Sequence, residues 1–331
     1  MKETMKAIVA KGYGLPDVLE LQNVTKPKPK TNEVLVKVYA SSATTADGMM
    51  RTGKPFIGRL ATGLLRPKHA IPGAGFAGII VSVGTDVRNF NHGTRVFGET
   101  TLGLSTNAEY VCVPEDGVIL PMPDNMSFAE GATYGDGHLT SLNFLKEIAQ
   151  IKPGQKVLIN GASGSLGTAA VQIARNMGAE VTGVCSTRNI GLVKSLGADR
   201  IIDYTKKDCT KVKDTYDVVY DTVGKSSYTK SKKVLAESGV YVSPVLKGAF
   251  LFQMVWTSFF SNKKAKFAAT GLRTNEELRS LFAELVEMFK EGKLKTVIDR
   301  QYPLEKVADA HTYIASGYKK GNVVIIVHSE N

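Results

Sequence analysis

The chain has 331 residues, enough for two sizeable cores, with no internal repeat and no low-complexity segment. Its 42 lysines and arginines against 31 acids give a formal charge of +11, but the lysines are spread and no recognised nucleic-acid module accompanies them, so nucleic acid is not expected as a partner. No apolar run reaches the ~20 residues of a membrane span, and three unspaced cysteines without a secretory leader suggest a reducing, cytoplasmic setting.

Nine of the 12 prolines precede Asn125. That region carries short, turn-punctuated apolar runs at Lys6 to Ala10, Val34 to Val38, Gly78 to Val83, Arg95 to Phe97 and Ala108 to Val113, a spacing that predicts a small β-barrel or sandwich. Next comes a buried strand, Lys156 to Asn160, running into Gly161-Ala162-Ser163-Gly164-Ser165-Leu166-Gly167. Ala170, Ile173, Ala174 and Met177 then recur at helical spacing, Gly178 closes the helix, and Val181 to Cys185 reads as a second buried strand. The alternation continues with a helix near Ile190 to Leu196, strands at Arg200 to Asp203 and Val218 to Asp221, a helix near Ser227 to Glu237, and strands at Val240 to Ser243 and Lys266 to Ala269. About six strands separated by helices predict a doubly wound parallel sheet, with ligand over the carboxyl ends of the strands. Thr274 and Glu277 form a possible capping box for a helix whose Leu278, Leu281, Phe282, Leu285, Met288 and Phe289 share one face, ended by Gly292. The last strands, Thr296 to Asp299 and Val323 to Val327, are expected to return to the N-terminal barrel.

The glycine turn carries the first functional inference. Gly161 suits the tight turn, Gly164 lets backbone approach a pyrophosphate, Gly167 lets helix and strand pack closely, and amides at the helix start face an anion. A glycine triplet alone also fits an ordinary strand-to-helix turn; the βαβ context points to a dinucleotide.

Several passages together, Met5-Lys6-Ala7-Ile8-Val9, Gly73-Ala74-Gly75-Phe76-Ala77-Gly78, Gly93-Thr94-Arg95-Val96-Phe97-Gly98, Ala108-Glu109-Tyr110-Val111, the Gly161 turn, Tyr216 to Gly224 and Lys320-Gly321-Asn322-Val323-Val324, carry a resemblance over essentially the whole chain. The sequence resembles the zinc-free branch of the medium-chain dehydrogenase/reductase superfamily, which holds quinone oxidoreductases of the zeta-crystallin type and related enoyl and alkenal reductases. The resemblance implies an α/β protein: a GroES-like β-barrel catalytic domain over residues 1–127, a Rossmann NAD(P)-binding domain over 128–272, and a segment 273–331 returning to the catalytic domain. It also implies a homodimer joined through nucleotide-domain edge strands.

Zinc enzymes of that superfamily polarise the substrate oxygen with a metal held by cysteine, histidine and carboxylate. Where they have a cysteine-rich turn this chain reads Ser41 to Asp47, and where they have Gly-His-Glu it reads Gly73-Ala74-Gly75, so no metal is expected. Cys112, Cys185 and Cys209 read as structural.

At the end of the second strand, where a carboxylate would meet the ribose of NAD, the chain has Ser186-Thr187-Arg188. Arg188 is either a solvated surface charge or a partner for a 2′-phosphate. With Tyr204, which the resemblance sets beside the same phosphate, this favours NADP(H) over NAD(H). The resemblance further assigns Thr222, Val223, Ser243, Gly321 and Asn322 to the cofactor.

Without zinc, reduction of an activated carbon–carbon double bond or a quinone needs only donors that stabilise the developing enolate oxygen. By resemblance Thr44, where many relatives have asparagine, Asp47 and Thr140 line that chemistry. Thr44 reads equally as a loop-capping hydroxyl. Tyr134, His138 or water could supply the proton, though packed roles suit both side chains.

The apolar run Phe250 to Phe260 suggests a wall over a pocket or a subunit interface, rather than a membrane contact, and an apolar carbonyl or quinone substrate. Two alternatives stay open: a metal-free NADP-dependent carbonyl or alcohol dehydrogenase of the same fold, and a low-turnover nucleotide-sensing or membrane-associated binding protein.

Overall fold

The computed structural model describes residues 3–54, 56, 59, 63–101 and 105–329. The chain divides into two compact units: one runs through Asp136 and includes Thr274–Val286 and the residues from Ile298 onward, the other comprises Gly137–Arg273 and Glu287–Val297.

The first unit is built on strands β1 (Thr4–Ala10), β2 (Leu19–Thr25), β3 (Glu33–Ala43), β4 (Gly75–Val83), β5 (Arg95–Glu99), β6 (Tyr110–Pro114) and β7 (Val118–Pro121). β1 and β2 pair with each other in a two-stranded antiparallel ribbon. β3 is the centre of the larger sheet, pairing antiparallel with β4 from Val34 to Ser41 and with β6 from Glu33 to Lys37. Its alternate residues Val34, Val36 and Val38 are fully buried with Phe76, Ile80 and Val96, each such side chain stabilising the fold by roughly 1.5–3 kcal/mol. This explains the period-two pattern in the sequence. Beyond β6, on the same edge of β3, the C-terminal strand takes over, and its register Val323↔Ala43 to Ile326↔Ala40 fixes where the chain leaves the sheet at Thr44.

The second unit holds β8 (Lys156–Asn160), β9 (Glu180–Cys185), β10 (Arg200–Asp203), β11 (Tyr216–Asp221), β12 (Leu235–Val242) and β13 (Lys264–Lys266). They form one sheet in the order β10-β9-β8-β11-β12-β13, every neighbouring pair parallel. The order reverses between β8 and β11, which is where such sheets bind ligands. Val157, Leu158 and Ile159 are all buried, as expected for a strand covered on both faces. The expected α/β architecture, a GroES-like barrel fold and a Rossmann-type parallel sheet, is the one observed. β14 (Ile298–Pro303) and β15 (Asn322–Ile326) complete the first unit's sheet.

Several elements differ from their sequence expectation. The helix expected over Ser227 to Glu237 is helical only at Tyr228–Ser231; from Leu235 the chain is β12, because Leu235 pairs with Tyr216 before a register shift resumes at Val240↔Val218. The expected strand Lys266 to Ala269 lies earlier, at Lys264–Lys266, and Thr296 to Asp299 lies later, at Ile298–Pro303. β2 and β7 carried no sequence signal. The apolar run is a helix, Gly248–Phe260, with only Phe250 and Thr257 buried. Among the described residues no helix is long and apolar enough to cross a membrane.

Candidate functional site

The glycine turn has the geometry of an anion cradle. Gly161 has φ +83°, and a Cβ there would lie 2.7 Å from Thr222 Oγ1 and 2.9 Å from Val223 Cγ1. A Cβ on Gly167 would lie 2.1 Å from the Gly161 carbonyl oxygen and 2.6 Å from Ala162 Cα, so helix and turn touch backbone to backbone. Gly164 differs: its nearest contact would be the Gly161 oxygen at 3.5 Å, and the space beyond is open. Helix Ser165–Asn176 begins from Gly164 with no side-chain cap, so its leading amides and the positive end of its dipole face that space. Ala162 is buried beneath the turn, Ser163 Oγ accepts from Asn189 Nδ2 at 2.9 Å, and the Leu166 carbonyl accepts from Ser141 Oγ at 2.8 Å.

The rim beyond β9 contains Ser186, buried, and Thr187 and Arg188, exposed. Tyr204 is 60% exposed and donates its amide to the Cys185 carbonyl. The sequence reads this rim as free of acid. The parallel register Asp203↔Cys185 puts one beside it: Asp203, at the end of β10, takes hydrogen bonds from Thr187 Oγ1 and Thr205 Oγ1. Strand pairing is invisible to a reading along the chain, which is why Asp203 escaped it.

A second carboxylate whose part is not legible along the chain is that of Asp221, fully buried at the end of β11. Its carboxylate accepts from Asn160 Nδ2 (2.9 Å), Tyr241 OH (3.0 Å), Gly224 N (3.1 Å) and Ser226 N (2.9 Å), while its carbonyl accepts from Ser243 Oγ (2.8 Å). It ties β8, β11 and β12 together at the switch point and sets the turn bearing Thr222 and Val223. Thr222 Oγ1 donates to the Asn160 carbonyl at 2.8 Å. Ser186, Thr187, Arg188, Tyr204, Thr222, Val223 and Ser243 thus all sit in the second unit with the glycine turn. Thr140, half-buried in the short helix Leu139–Leu142, belongs to that unit too.

Thr44, Asp47, Gly321 and Asn322 belong to the first unit. Thr44 caps helix Thr45–Thr52 through a capping box: its amide and Oγ1 donate to Asp47 Oδ2, both at 2.8 Å, and Asp47 N donates to Thr44 Oγ1 at 3.0 Å. Both side chains are buried. The loop-capping reading of Thr44 is therefore realised in the structure. Burial pushes the Asp47 carboxyl up to about 7 against the Thr44 hydrogen bonds, with the Asp136 charge adding to the rise. Glu99, at the end of β5, is pushed up to about 8 by burial and by Asp136 and Asp47. A Cβ on Gly135 would lie 2.7 Å from Glu99 Oε2, so Glu99 packs directly over the Gly135 backbone. Gly321 has φ +68° and its carbonyl accepts from Lys319 Nζ at 3.1 Å, and Asn322 is buried in β15. Tyr134 is fully buried among Phe97 and Phe282, and His138 is buried as well.

Among the described residues no group of three or more His, Cys, Asp or Glu is arranged to hold a metal ion. Burial pushes Cys112 up to about 12 and Cys185 and Cys209 up to about 11, so none supplies a thiolate at neutral pH.

The alcohol dehydrogenase GroES-like domain model matches residues 30–124, and a model described as zinc-binding dehydrogenase matches residues 196–325. The chain is 35% identical to the 2-methylene-furan-3-one reductase of Solanum lycopersicum, over 97% of this chain and 79% of that protein. It is 31% identical, over the same shares, to the chloroplastic NADPH-dependent alkenal/one oxidoreductase of Arabidopsis thaliana. The solved quinone oxidoreductase from Coxiella burnetii superposes with a TM-score of 0.87 at 30% identity, covering 98% of this chain and all of that one. Similarity of this extent, on a sheet whose switch point carries an uncapped glycine cradle, makes the protein an oxidoreductase of the medium-chain dehydrogenase/reductase superfamily, in the group of quinone oxidoreductases and alkenal or enone reductases.

Proposed function

We propose that the protein is an NADPH-dependent reductase of activated carbon–carbon double bonds (enones and alkenals) or quinones, working without zinc. The observation that carries the reading is the open cradle at Gly164 in front of the uncapped helix, which fits a diphosphate and which a Cβ would fill. The cofactor, when bound, supplies hydride to the electron-poor carbon. The amides that open helix Ser165–Asn176 hold its diphosphate, and Arg188 is the cation for a 2′-phosphate. The names of the alkenal and furanone reductases support this substrate class.

Thr44 is the proposed donor to the substrate oxygen, and its partner makes the donation conditional. In the structure the Thr44 proton is directed at Asp47 Oδ2. A protonated Asp47 donates to Thr44 instead and releases the Thr44 proton for a developing enolate oxygen. Thr140 is assigned to the nicotinamide side of the chemistry.

We also propose a homodimer through the edge of the nucleotide sheet. Among the described residues β13 is the edge strand of this sheet, and the neighbouring helix exposes Phe252 (72%), Phe259 (77%) and Phe260 (72%), apolar area that a second copy would cover. Sedimentation in solution tests it.

The deciding assay is NADPH oxidation against matched panels of enones, quinones, aldehydes and ketones with product identification. Saturated ketone or hydroquinone supports the reading; allylic alcohol from an enone supports the carbonyl-reductase alternative; dinucleotide binding without turnover on any panel supports a binding protein. Arg188→Ala is expected to raise KM for NADPH and leave that for NADH nearly unchanged; equal effects on both exclude the 2′-phosphate role.

A further inference from the structure

Thr187 and Thr205 both direct their hydroxyls at one carboxylate. Thr187 Oγ1 donates to Asp203 Oδ2, and Thr205 donates to Asp203 Oδ1 from both Oγ1, at 2.7 Å, and its amide, at 3.0 Å. An ionised carboxylate only accepts, so both hydroxyl protons are committed to it. The two hydroxyl oxygens lie 3.1 Å apart, within hydrogen-bond distance of each other, and with both protons on Asp203 each would meet a ligand as an acceptor. These hydrogen bonds, Thr187's foremost, also pull the Asp203 carboxyl below its ordinary value, which keeps it ionised at neutral pH.

This rim therefore has two opposed characters. Arg188 and the exposed Lys206 and Lys207 suit a phosphate dianion. Asp203, with hydroxyls that can only accept, suits a ribose 2′-hydroxyl, which is itself a donor. We propose that Asp203, acting through Thr187, is a specificity-determining residue of the cofactor rim: it restrains the preference for NADPH that Arg188 confers and keeps the site open to NADH. The proposal rests on the reading that a dinucleotide binds at the Gly164 cradle.

Asp203→Asn is the informative change. Asparagine Oδ1 still accepts from Thr205, so the turn keeps its hydrogen bonds. Its amide donates to Thr187 Oγ1, which reverses that hydroxyl and turns its proton toward the ligand while the negative charge disappears. Thr187→Val keeps the charge and removes one of its donors. Kd values for NADPH and NADH are measured by titration on the full chain, without turnover, alongside a thermal melt of each variant.

In Asp203→Asn the affinity ratio of NADPH to NADH is expected to rise roughly fivefold at low salt, with a smaller rise at high salt, as screened charges require. In Thr187→Val, which removes the acceptor through which Asp203 acts but leaves its charge, a smaller rise in the ratio is expected, and a fall overturns the role of Thr187. An unchanged ratio in Asp203→Asn, or a parallel loss of both cofactors with the melt unaltered, overturns the proposal. Failure of the unmodified protein to bind either dinucleotide overturns the cofactor reading and this inference with it, an outcome distinct from binding with an unmoved ratio.

Discussion

Replacing Gly167 with alanine tests whether the glycine turn is built by close backbone contact. The new Cβ would stand 2.1 Å from the Gly161 oxygen, 2.6 Å from Ala162 Cα and 2.7 Å from the Ala162 carbonyl carbon. Ordinary contact begins near 3.4 Å, so the helix start must retreat by roughly 1 Å. None of the three atoms belongs to a side chain that could rotate away, and Ala162 is fully buried. Overpacking of this kind costs about 1–3 kcal/mol, which for a unit of this size lowers Tm by roughly 2–12 °C. The same retreat misplaces the amides that open the helix, so dinucleotide affinity is expected to fall by about tenfold or more. Gly164→Ala is the matched control. Its Cβ meets only the Gly161 oxygen at 3.5 Å, and its φ of −82° suits alanine, so the melt should be nearly unchanged while the side chain occupies the space proposed for the diphosphate. Melting curves and titrations on both variants separate the two effects. A Gly167→Ala protein that melts and binds like the unmodified one would refute the argument, as would a Gly164→Ala protein with unaltered affinity.

Stability should fall as pH rises through the neutral range. Asp47 and Glu99, pushed up by burial to about 7 and about 8, keep their protons in the folded chain where an unfolded carboxyl near pH ~4 has lost them. Their contribution is greatest below pH ~4 and is lost as pH climbs through the folded values; Glu99→Gln should flatten part of that slope in melts from pH 5 to 9, and an unchanged slope would show Glu99 to be well solvated. Phe282 lies 4.9 Å from the Phe97 ring and edge-on to Tyr134, so Phe282→Ala should cost about 3–5 kcal/mol in urea denaturation; a loss under 1 kcal/mol would mean that the cavity collapses. Prolonged chelation should leave reductase activity intact, and activity lost to chelator and restored by zinc would contradict a metal-free mechanism.

Local backbone geometry is legible along the chain. The glycines of the turn, the period-two valines of β3 and the alternation of short apolar runs with helical spacing each reflect backbone geometry within a few residues. Those local signals, strung together in order, sufficed for the two folds and the family. Features that depend on distant neighbours emerge only in the folded chain. Leu235 reads as the end of a helix, yet pairing with β11 draws it into a strand. Asp203 reads as an unremarkable strand end, yet the parallel register sets it against Thr187 and changes the character of a rim that looked purely cationic. Asp221, Asp47 and Glu99 are ordinary acids in the sequence. The first is held by hydrogen bonds from β8, from β12 and from Ser243 just beyond it, and the other two are pushed toward neutrality by desolvation. Backbone conformation is set chiefly by adjacent residues, whereas charge state and hydrogen-bond direction are set by whatever the fold packs against a group, and only the folded chain supplies that.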